Sequence, residues 1–585
     1  MSAQDTERDH RRLKGIEEIE RGLILAENFL LGREGKMVSE TKVMKADVVV
    51  VGGGPAGLMA AIRAADLGVK DVVLADKCNT LRSGNGGGGN DHFFCYIPEC
   101  HGKDIKPVLH SLRHSLSSFD GRSSFEQTWL DRSFEMVKIW ESWGIDMKYN
   151  GKREFAGHTL PGLPNLHLKY AGGEQKPVLT KQALKRGVKI MNRVTVFDLL
   201  KDGERITGAL GYDTWNDKLI EFQAKAVFLG TGCCCRLYKG FTSLMFNMPN
   251  CSFNTGDGRA MAMRAGADLV DIEFAGQWAG AKNFARAGKG TWIGVLTDPS
   301  GNPVGPFASA PDRHYGDVIS DAYPQVFDDY MNSGKGPVYM DCRGASKGDL
   351  EYMIHWLRNE GNEGLLDYMN EEGIDPAKHR IEFGRYELLP FGGLYFSNKS
   401  EASLKGLYGA GDERMPPGMP RAVIWGWIGG ESMAGYVKAA DFGDPDKSKE
   451  KVKHSMGLIN DILGRKIGSN WEEANIAIQE IMSAYVGKTR SETLLDQASR
   501  NLSILKKKMP RSLIARNGHE LGRCLEVLNL LDMGEAVTFA AKERKESRRS
   551  HHRTDYPFTN PLMELKQLVT WKDGNPVSEW KELKE

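Results

Sequence analysis

The chain has 585 residues, 41% of them apolar, and its 78 basic and 77 acidic side chains leave a formal net charge of +1. That balance gives no basis for nucleic acid or an anionic membrane as the main partner, and the length exceeds one hydrophobic core, so about two to four domains are expected. No run of about 18 apolar residues predicts a transmembrane helix, and MSAQDTERDHRRLKGIEEIERG at the start lacks the apolar stretch of a secretory signal.

In chain order, residues 1–45 read as an N-terminal extension with helical spacing from Ile16 to Leu31. ADVVVV (46–51) is a continuous β-branched run suited to a buried parallel strand. GGGPAG, the helical pattern LMAAIRAADLG and the strand DVVLADK (71–77) complete a βαβ unit. Helices are expected around 104–119 and 124–143. Two strands with a turn near Asp202-Gly203 follow, then the strand AKAVFLGTG (224–232).

The fold class is α/β. A Rossmann-like dinucleotide-binding domain takes 46–267 and 391–442, and a Gly-, Pro- and aromatic-rich capping domain is inserted at 268–390. A helical domain spans 443–548, and a tail, 549–585, wraps a surface. Nine cysteines, an odd number with no C-x-x-C pair, read as reduced thiols of a cytoplasmic protein that ligates neither its own iron–sulfur cluster nor zinc. The triplet Cys233-Cys234-Cys235 reads as three small side chains in a tight turn. Adjacent residues of an extended chain point oppositely, which suits one metal site poorly.

Gly52-x-Gly54-x-x-Gly57 carries the chemistry. Gly52 allows the turn off the strand, Gly54 lets backbone approach a diphosphate, and Gly57 lets helix and strand pack closely. The helix N-terminus adds free N–H groups and a positive dipole end. Asp76, about 20 residues on, ends the second strand as an acceptor for ribose hydroxyls. LGTGCCCRLY (229–238) and GLYGAGDE (406–413) are later strands ending in small residues, as FAD needs for its isoalloxazine and ribityl chain.

GGGPAGLMAAIRA, DKCNTLRSG, FLGTGCCCRLY, FNTGDGRAMAMRAGADLVDIEF, GLYGAGDE and the closing RKESRRSHHRTDYP, in this order, resemble the flavoprotein subunits of succinate dehydrogenase and fumarate reductase. They resemble still more the alpha subunit of adenylylsulfate reductase. The resemblance spans roughly residues 46–560. It implies FAD held at the diphosphate by Gly52, Gly54, Pro55, Ala56 and Gly57, and at the adenosine ribose by Asp76 with Lys77 beside it. It places Arg82, Ser83 and Gly84 along the flavin and Val194 at the adenine. Thr231, Gly232 and Asp257 close around the cofactor, and Gly411 and Asp412 reach the ribityl chain.

The departures bear on function. Succinate dehydrogenases carry a histidine after R-S to which FAD is covalently attached. Gly84 stands there, so non-covalent FAD is expected. The F-H-P-T-G segment after D-x-E-F has no histidine in DIEFAGQWAGAKNF, R-G-E-G-G has no counterpart, and Leu388 stands at the histidine before M-G-G. Without these groups succinate and fumarate are not expected as substrates. Arg421 matches a substrate-binding arginine, the catalytic candidate, or else makes an ion pair. Trp278, Trp292, Trp425, Trp427, Phe391 and Tyr395 line an apolar pocket or form core. His92, His158, His167, Tyr386 and Glu387 are candidate acid–base groups.

The expected function is an FAD-dependent oxidoreductase subunit that passes electrons between a small-molecule substrate and a ferredoxin-like iron–sulfur partner. No second G-x-G-x-x-G offers a route to NAD(P)H. Reduction of an adenylylated sulfate, a non-catalytic FAD electron relay and an aromatic-ring hydroxylase are the alternatives.

Overall fold

The computed structural model describes residues 37–582 except 115–122, 158–163, 241–249, 283–290, 305–309, 314–329, 331–332, 415–417, 565 and 573. The helix expected over 16–31 and the candidate His158 lie outside the described residues.

A seven-stranded sheet organises the first domain. Its strands are β1 (Thr41–Val51), β2 (Val72–Asp76), β3 (Lys189–Asn192), β4 (Val194–Asp202), β5 (Arg205–Asp213), β6 (Lys218–Leu229) and β11 (Leu407–Gly409). The order is β3-β2-β1-β6-β5-β4, with β11 on the end of β6. β3, β2, β1, β6 and β11 run parallel, whereas β4, β5 and the start of β6 form an antiparallel meander. Val48–Val51 are buried on both faces, as a β-branched run flanked by helices must be. β1 begins five residues earlier than the hydrophobic run predicts. Thr41–Lys45 pair with Leu219–Gln223, with Lys42, Val43 and Lys45 exposed and Met44 and Ala46 buried, so this part of the extension belongs to the sheet.

Register decides where the site sits. Val51 aligns with Ala75 and Leu229, and Leu229 with Gly409, so four parallel strands end at one level. Their loops share the carboxyl edge of the sheet, the usual ligand crevice of such folds. α1 (Pro55–Asp66) leaves the first loop and packs against α7 (Met419–Tyr436). Cβ atoms at Gly426 and Gly430 would fall 2.3 Å and 2.6 Å from the carbonyls of Ala56 and Ala60, so this helix pair approaches through glycine. α2 (Ser123–Ser142) and α3 (Gln175–Lys185) flank them, and α4 (Asp257–Ala265) follows β6.

The inserted domain has a separate core. β7 (Ala279–Ala281), β8 (Val295–Thr297), β9 (Val338–Asp341) and β10 (Ile381–Arg385) form an antiparallel sheet in the order β7-β10-β9-β8, with α5 (Lys347–Asn359) and α6 (Glu363–Glu371). Trp292, Trp356 and Phe383 fill it. The C-terminal helices are α8 (Lys449–Gly464), α9 (Trp471–Tyr485), α10 (Glu492–Ser512) and α11 (Gly518–Glu543). Asn470, Ser491 and Asn517 cap the last three.

The tail does more than wrap a surface. Lys566–Lys572 and Asn575–Lys581 form a hairpin that pairs with Leu269–Val270, inside a four-stranded sheet. Arg544 bonds Glu273 at 2.6 Å and Arg490 bonds the His551 ring at 2.6 Å, so the R-K-E-S-R-R-S-H-H segment pins the tail beside the D-I-E-F turn.

Candidate functional site

The glycine turn between β1 and α1 separates two reasons for glycine. A Cβ at Gly52 would lie 2.3 Å from the Gly230 carbonyl oxygen, and one at Gly57 1.9 Å from that of Gly52. The chain itself forbids side chains at both positions. A Cβ at Gly54 would meet only the Gly230 oxygen, at 3.8 Å. Nothing in the protein demands glycine there, and the position faces the open side of the turn at the head of α1, with Pro55 at the first helical position and Ala56 and Gly57 buried behind it. A ligand that approaches the backbone and the helix dipole accounts for it.

Two charged groups brace this turn. Asp76 Oδ2 accepts from Gly53 N at 2.6 Å and from Ser83 Oγ at 3.0 Å, and its Oδ1 accepts from Cys78 N at 2.7 Å. Lys176, on α3, is buried and donates to the Gly53 carbonyl, with Ser83 Oγ at 3.4 Å. Burial pushes its ammonium down to about 8, partly offset by Asp76. A buried cation on the diphosphate turn is the electrostatic complement of an anionic ligand.

The chain after β2 forms the next wall. Arg82 turns outward, donating to the Gly173 carbonyl at 2.8 Å and pairing with Glu174 at 3.1 Å, so it is not set along the crevice. Gly84 has φ +71°, and a Cβ there would meet nothing within 4 Å. Asn85 follows, donating to Asp412 Oδ2 at 2.8 Å and accepting from Cys251 N at 2.7 Å. It thereby links the segment after Gly84 to the β11 loop.

The β6 and β11 loops meet opposite. Glu413 is buried and accepts from Thr231 N at 2.5 Å, and Thr231 Oγ1 accepts from Gly258 N at 2.8 Å. Burial pushes the Glu413 carboxyl up to about 7, against the pull of Thr231 and Arg259. Gly232 lies against the Asn254 side chain, and Gly411 against Ala56 and Ala422. Val194 is buried at the start of β4, opposite Asp213.

Lys77 and Asp257 lie differently from what their motifs imply. Lys77 Nζ bonds Asp257 at 2.6 Å, Glu526 at 2.8 Å and Thr255 Oγ1 at 3.1 Å. Arg236 and Arg523 also reach Glu526, at 2.5 Å and 2.8 Å, and Asn529 donates to Asp257 at 2.8 Å. This is a buried charge cluster between α11 and the flavin-binding sheet, and its own partners occupy Lys77. Burial alone would raise the Glu526 carboxyl, but the three cations outweigh it and hold it at about 2.

The aromatic candidates divide. Trp292 is in the core of the inserted domain. Trp425 stacks on Phe125 at 4.4 Å, and Trp427 is buried under α7 with Arg63 over its ring. These three are core rather than pocket wall. Trp278 and Phe391, 5.7 Å apart, pack on Cys233, Cys235 and Leu389, next to Leu388, and Tyr395 is half-buried nearby in sequence. Glu387 accepts from Arg236 N at 3.1 Å, and burial pushes its carboxyl up to about 8. Tyr386 donates to the Ala281 carbonyl at 3.2 Å. His92 pairs with Asp91 at 2.6 Å and stands edge-on to His167 across a two-stranded antiparallel sheet. Arg421 bonds the buried Glu126 at 2.8 Å and stacks over Trp129, which places it in an ion pair on the α2–α7 face.

The crevice fits FAD. Gly54 and Gly84 leave open space where a ligand would press on backbone, and a buried lysine waits at the turn. The turn 52–57 with Lys176 would hold the diphosphate, Asp76 the ribose edge, and Ser83 to Asn85 with Thr231, Gly232, Gly411 and Asp412 the flavin and its ribityl chain. The bound flavin supplies two-electron and one-electron transfer, and the residues supply position, charge balance and exclusion of water. Sequence reasoning missed Lys176, Asn85 and Glu413. The last two are adjacent to Gly84 and Asp412 and could have been included with those motifs. Lys176 gives no local signal, since Lys181 and Lys185 on the same helix are exposed.

A family described as FAD binding domain matches residues 47–413, and one described as fumarate reductase flavoprotein C-term matches 476–584. The chain is 23% identical over 569 residues to one of the subunits of the fumarate reductase (CoM/CoB) of Methanothermobacter marburgensis, covering 91% of this chain and 98% of that one. It is 24% identical to a fumarate reductase flavoprotein subunit of Mycobacterium tuberculosis, covering 87% and 92%. Among solved structures, adenylylsulfate reductase from Archaeoglobus fulgidus superposes with a TM-score of 0.80 at 20% identity, covering 94% and 97%. The E. coli quinol fumarate reductase flavoprotein superposes at 0.78 and 20%, covering 93% and 97%.

Proposed function

This chain belongs to the FAD-binding family of the succinate dehydrogenase and fumarate reductase flavoproteins and is an FAD-dependent oxidoreductase; on that premise we propose that it holds FAD non-covalently and passes electrons between a small substrate other than succinate or fumarate and an iron–sulfur partner. The observation that carries the substrate reading is the wall beside the flavin segments, where Trp278, Phe391 and Leu389 stand and Arg421 is engaged by Glu126. A dicarboxylate needs cationic and hydrogen-bonding partners, and apolar side chains at those positions do not offset its desolvation. Gly84 supports non-covalent attachment, because glycine offers no atom to bond the flavin ring. The partner reading rests on the relatives being named as subunits and on there being no second strand-to-helix G-x-G-x-x-G turn in the sequence, the GNGGGG run at 84–89 lacking that setting.

The test is an anaerobic turnover screen of the holoprotein with a viologen donor, offering fumarate, adenylylsulfate and a panel of other small acceptors, with ferredoxin as alternative donor. The reading expects no fumarate turnover and flavin reduction by ferredoxin. Fumarate-dependent turnover would overturn the substrate reading, and adenylylsulfate turnover would identify sulfur chemistry as its specific form.

A further inference from the structure

The cysteine triplet is not uniform. Gly256 N donates to the Cys233 carbonyl at 3.0 Å, Cys235 N donates to the Asn254 carbonyl at 2.7 Å, and Cys234 bridges to Thr255. Residues 233–235 are therefore an extended strand against 254–256, and in such a strand first and third side chains share a face. Cys234 points into the large core against Gly256. Cys233 and Cys235 point the other way, with sulfurs 3.6 Å apart and both fully buried.

That shared face is the flavin side. Cys233 directly follows Gly232, and its sulfur is 3.7 Å from Nδ2 of Asn85, the residue after Gly84. Trp278, Phe391 and Leu389 cover the pair. Glu387, which accepts from Arg236 N at 3.1 Å, is buried in the same region.

We propose that Cys233 and Cys235 are a redox-active dithiol that exchanges two electrons with the bound flavin by forming and breaking a disulfide. The sulfur gap exceeds an S–S bond by about 1.5 Å, and because side chains two apart on an extended strand stand about 6.5 Å apart at Cβ, closing it also bends the backbone of 233–235. On oxidation, both S–H bonds break and one S–S bond forms. Two electrons and both protons pass to the flavin. Reduced flavin reverses the step. Burial and the neighbouring thiol push Cys235 far up, so its sulfur keeps its proton until the electrons leave. The inference needs the flavin but not the partner or substrate of the proposed function.

The test is an anaerobic dithionite titration of the holoprotein, combined with differential alkylation of its oxidised and reduced forms under denaturing conditions and peptide mass mapping. The wild type is expected to take up about four electrons per flavin, and C233S and C235S about two. The peptide carrying residues 233–235 is expected to hold an internal disulfide between Cys233 and Cys235 when oxidised and two alkylated thiols when reduced. Uptake of about two electrons by the wild type, with both thiols alkylated in the oxidised form, would overturn the proposal, as would a disulfide mapped to any other cysteine pair. The wild-type titration and map decide the matter even where a serine variant does not fold. Flavin content, measured beforehand, separates loss of the cofactor from failure of the dithiol.

Discussion

Two buried carboxylates show how differently one fold treats the same group. Glu526 receives Lys77, Arg236 and Arg523, and its carboxyl stays at about 2. Glu387, equally buried, meets a backbone N–H and two thiols and rises to about 8. The first is charged at every ordinary pH and locks the helical domain to the flavin-binding sheet. The second can gain and lose a proton near neutrality. Burial is the same, so the partners decide between structure and chemistry.

Breaking the first region should have the largest effect. E526A leaves three buried cations without their anion and is expected to cost about 3–5 kcal/mol of stability in denaturant melts. A smaller loss would mean that water or Asp257 already balances the cluster. On the ligand side, G54A should retain the fold, with stability changed by no more than about 0.5 kcal/mol, yet lose most of its flavin during gel filtration. G57A, whose Cβ meets the Gly52 carbonyl, should lose both fold and flavin, so equal behaviour of the two would erase the distinction between packing and ligand glycines. R421A strips Glu126 of its guanidinium but leaves Trp129 Nε1 donating to it at 2.7 Å, for an expected cost of about 1–3 kcal/mol. Loss of turnover without that destabilisation would instead make Arg421 a substrate ligand.

The smallest effect at neutral pH is expected for E387Q, within about 1 kcal/mol, because the native glutamate is largely protonated there. Its pH profile sharpens the comparison. A carboxyl raised from 4.5 to about 8 in the folded state stabilises the protein fully below pH 4.5, and this contribution is lost as pH rises to about 8. E387Q should flatten that alkaline decline. Glu526, lowered from 4.5 to about 2, acts oppositely: its contribution is present above pH 4.5 and lost as pH falls toward 2.

What was legible in the sequence was local. The strand ADVVVV, the glycine turn, α1 and Asp76 lie within one short segment, where periodicity and turn chemistry determine the structure. Thr231, Gly232, Gly411 and Asp412 were singled out by the small-residue endings of two strands and by the family resemblance, and they follow β6 and β11 at one edge of the sheet. Cys233 and Cys235 facing Glu387, Lys176 under Gly53 and Lys77 against Glu526 were not legible. Each joins residues over a hundred positions apart, and a lysine on an amphipathic helix looks the same whether it faces water or a phosphate cradle. Arg82 was carried over with Ser83 and Gly84 from the family motif, and its long side chain reaches out to Gly173 and Glu174.

The way the cofactor is held underlies every functional role assigned to these residues. Acid precipitation of the purified holoprotein, followed by absorbance and mass analysis of supernatant and pellet, should release roughly one intact FAD per chain into the supernatant and leave an unmodified polypeptide. Flavin retained in the pellet on a peptide adduct would contradict it.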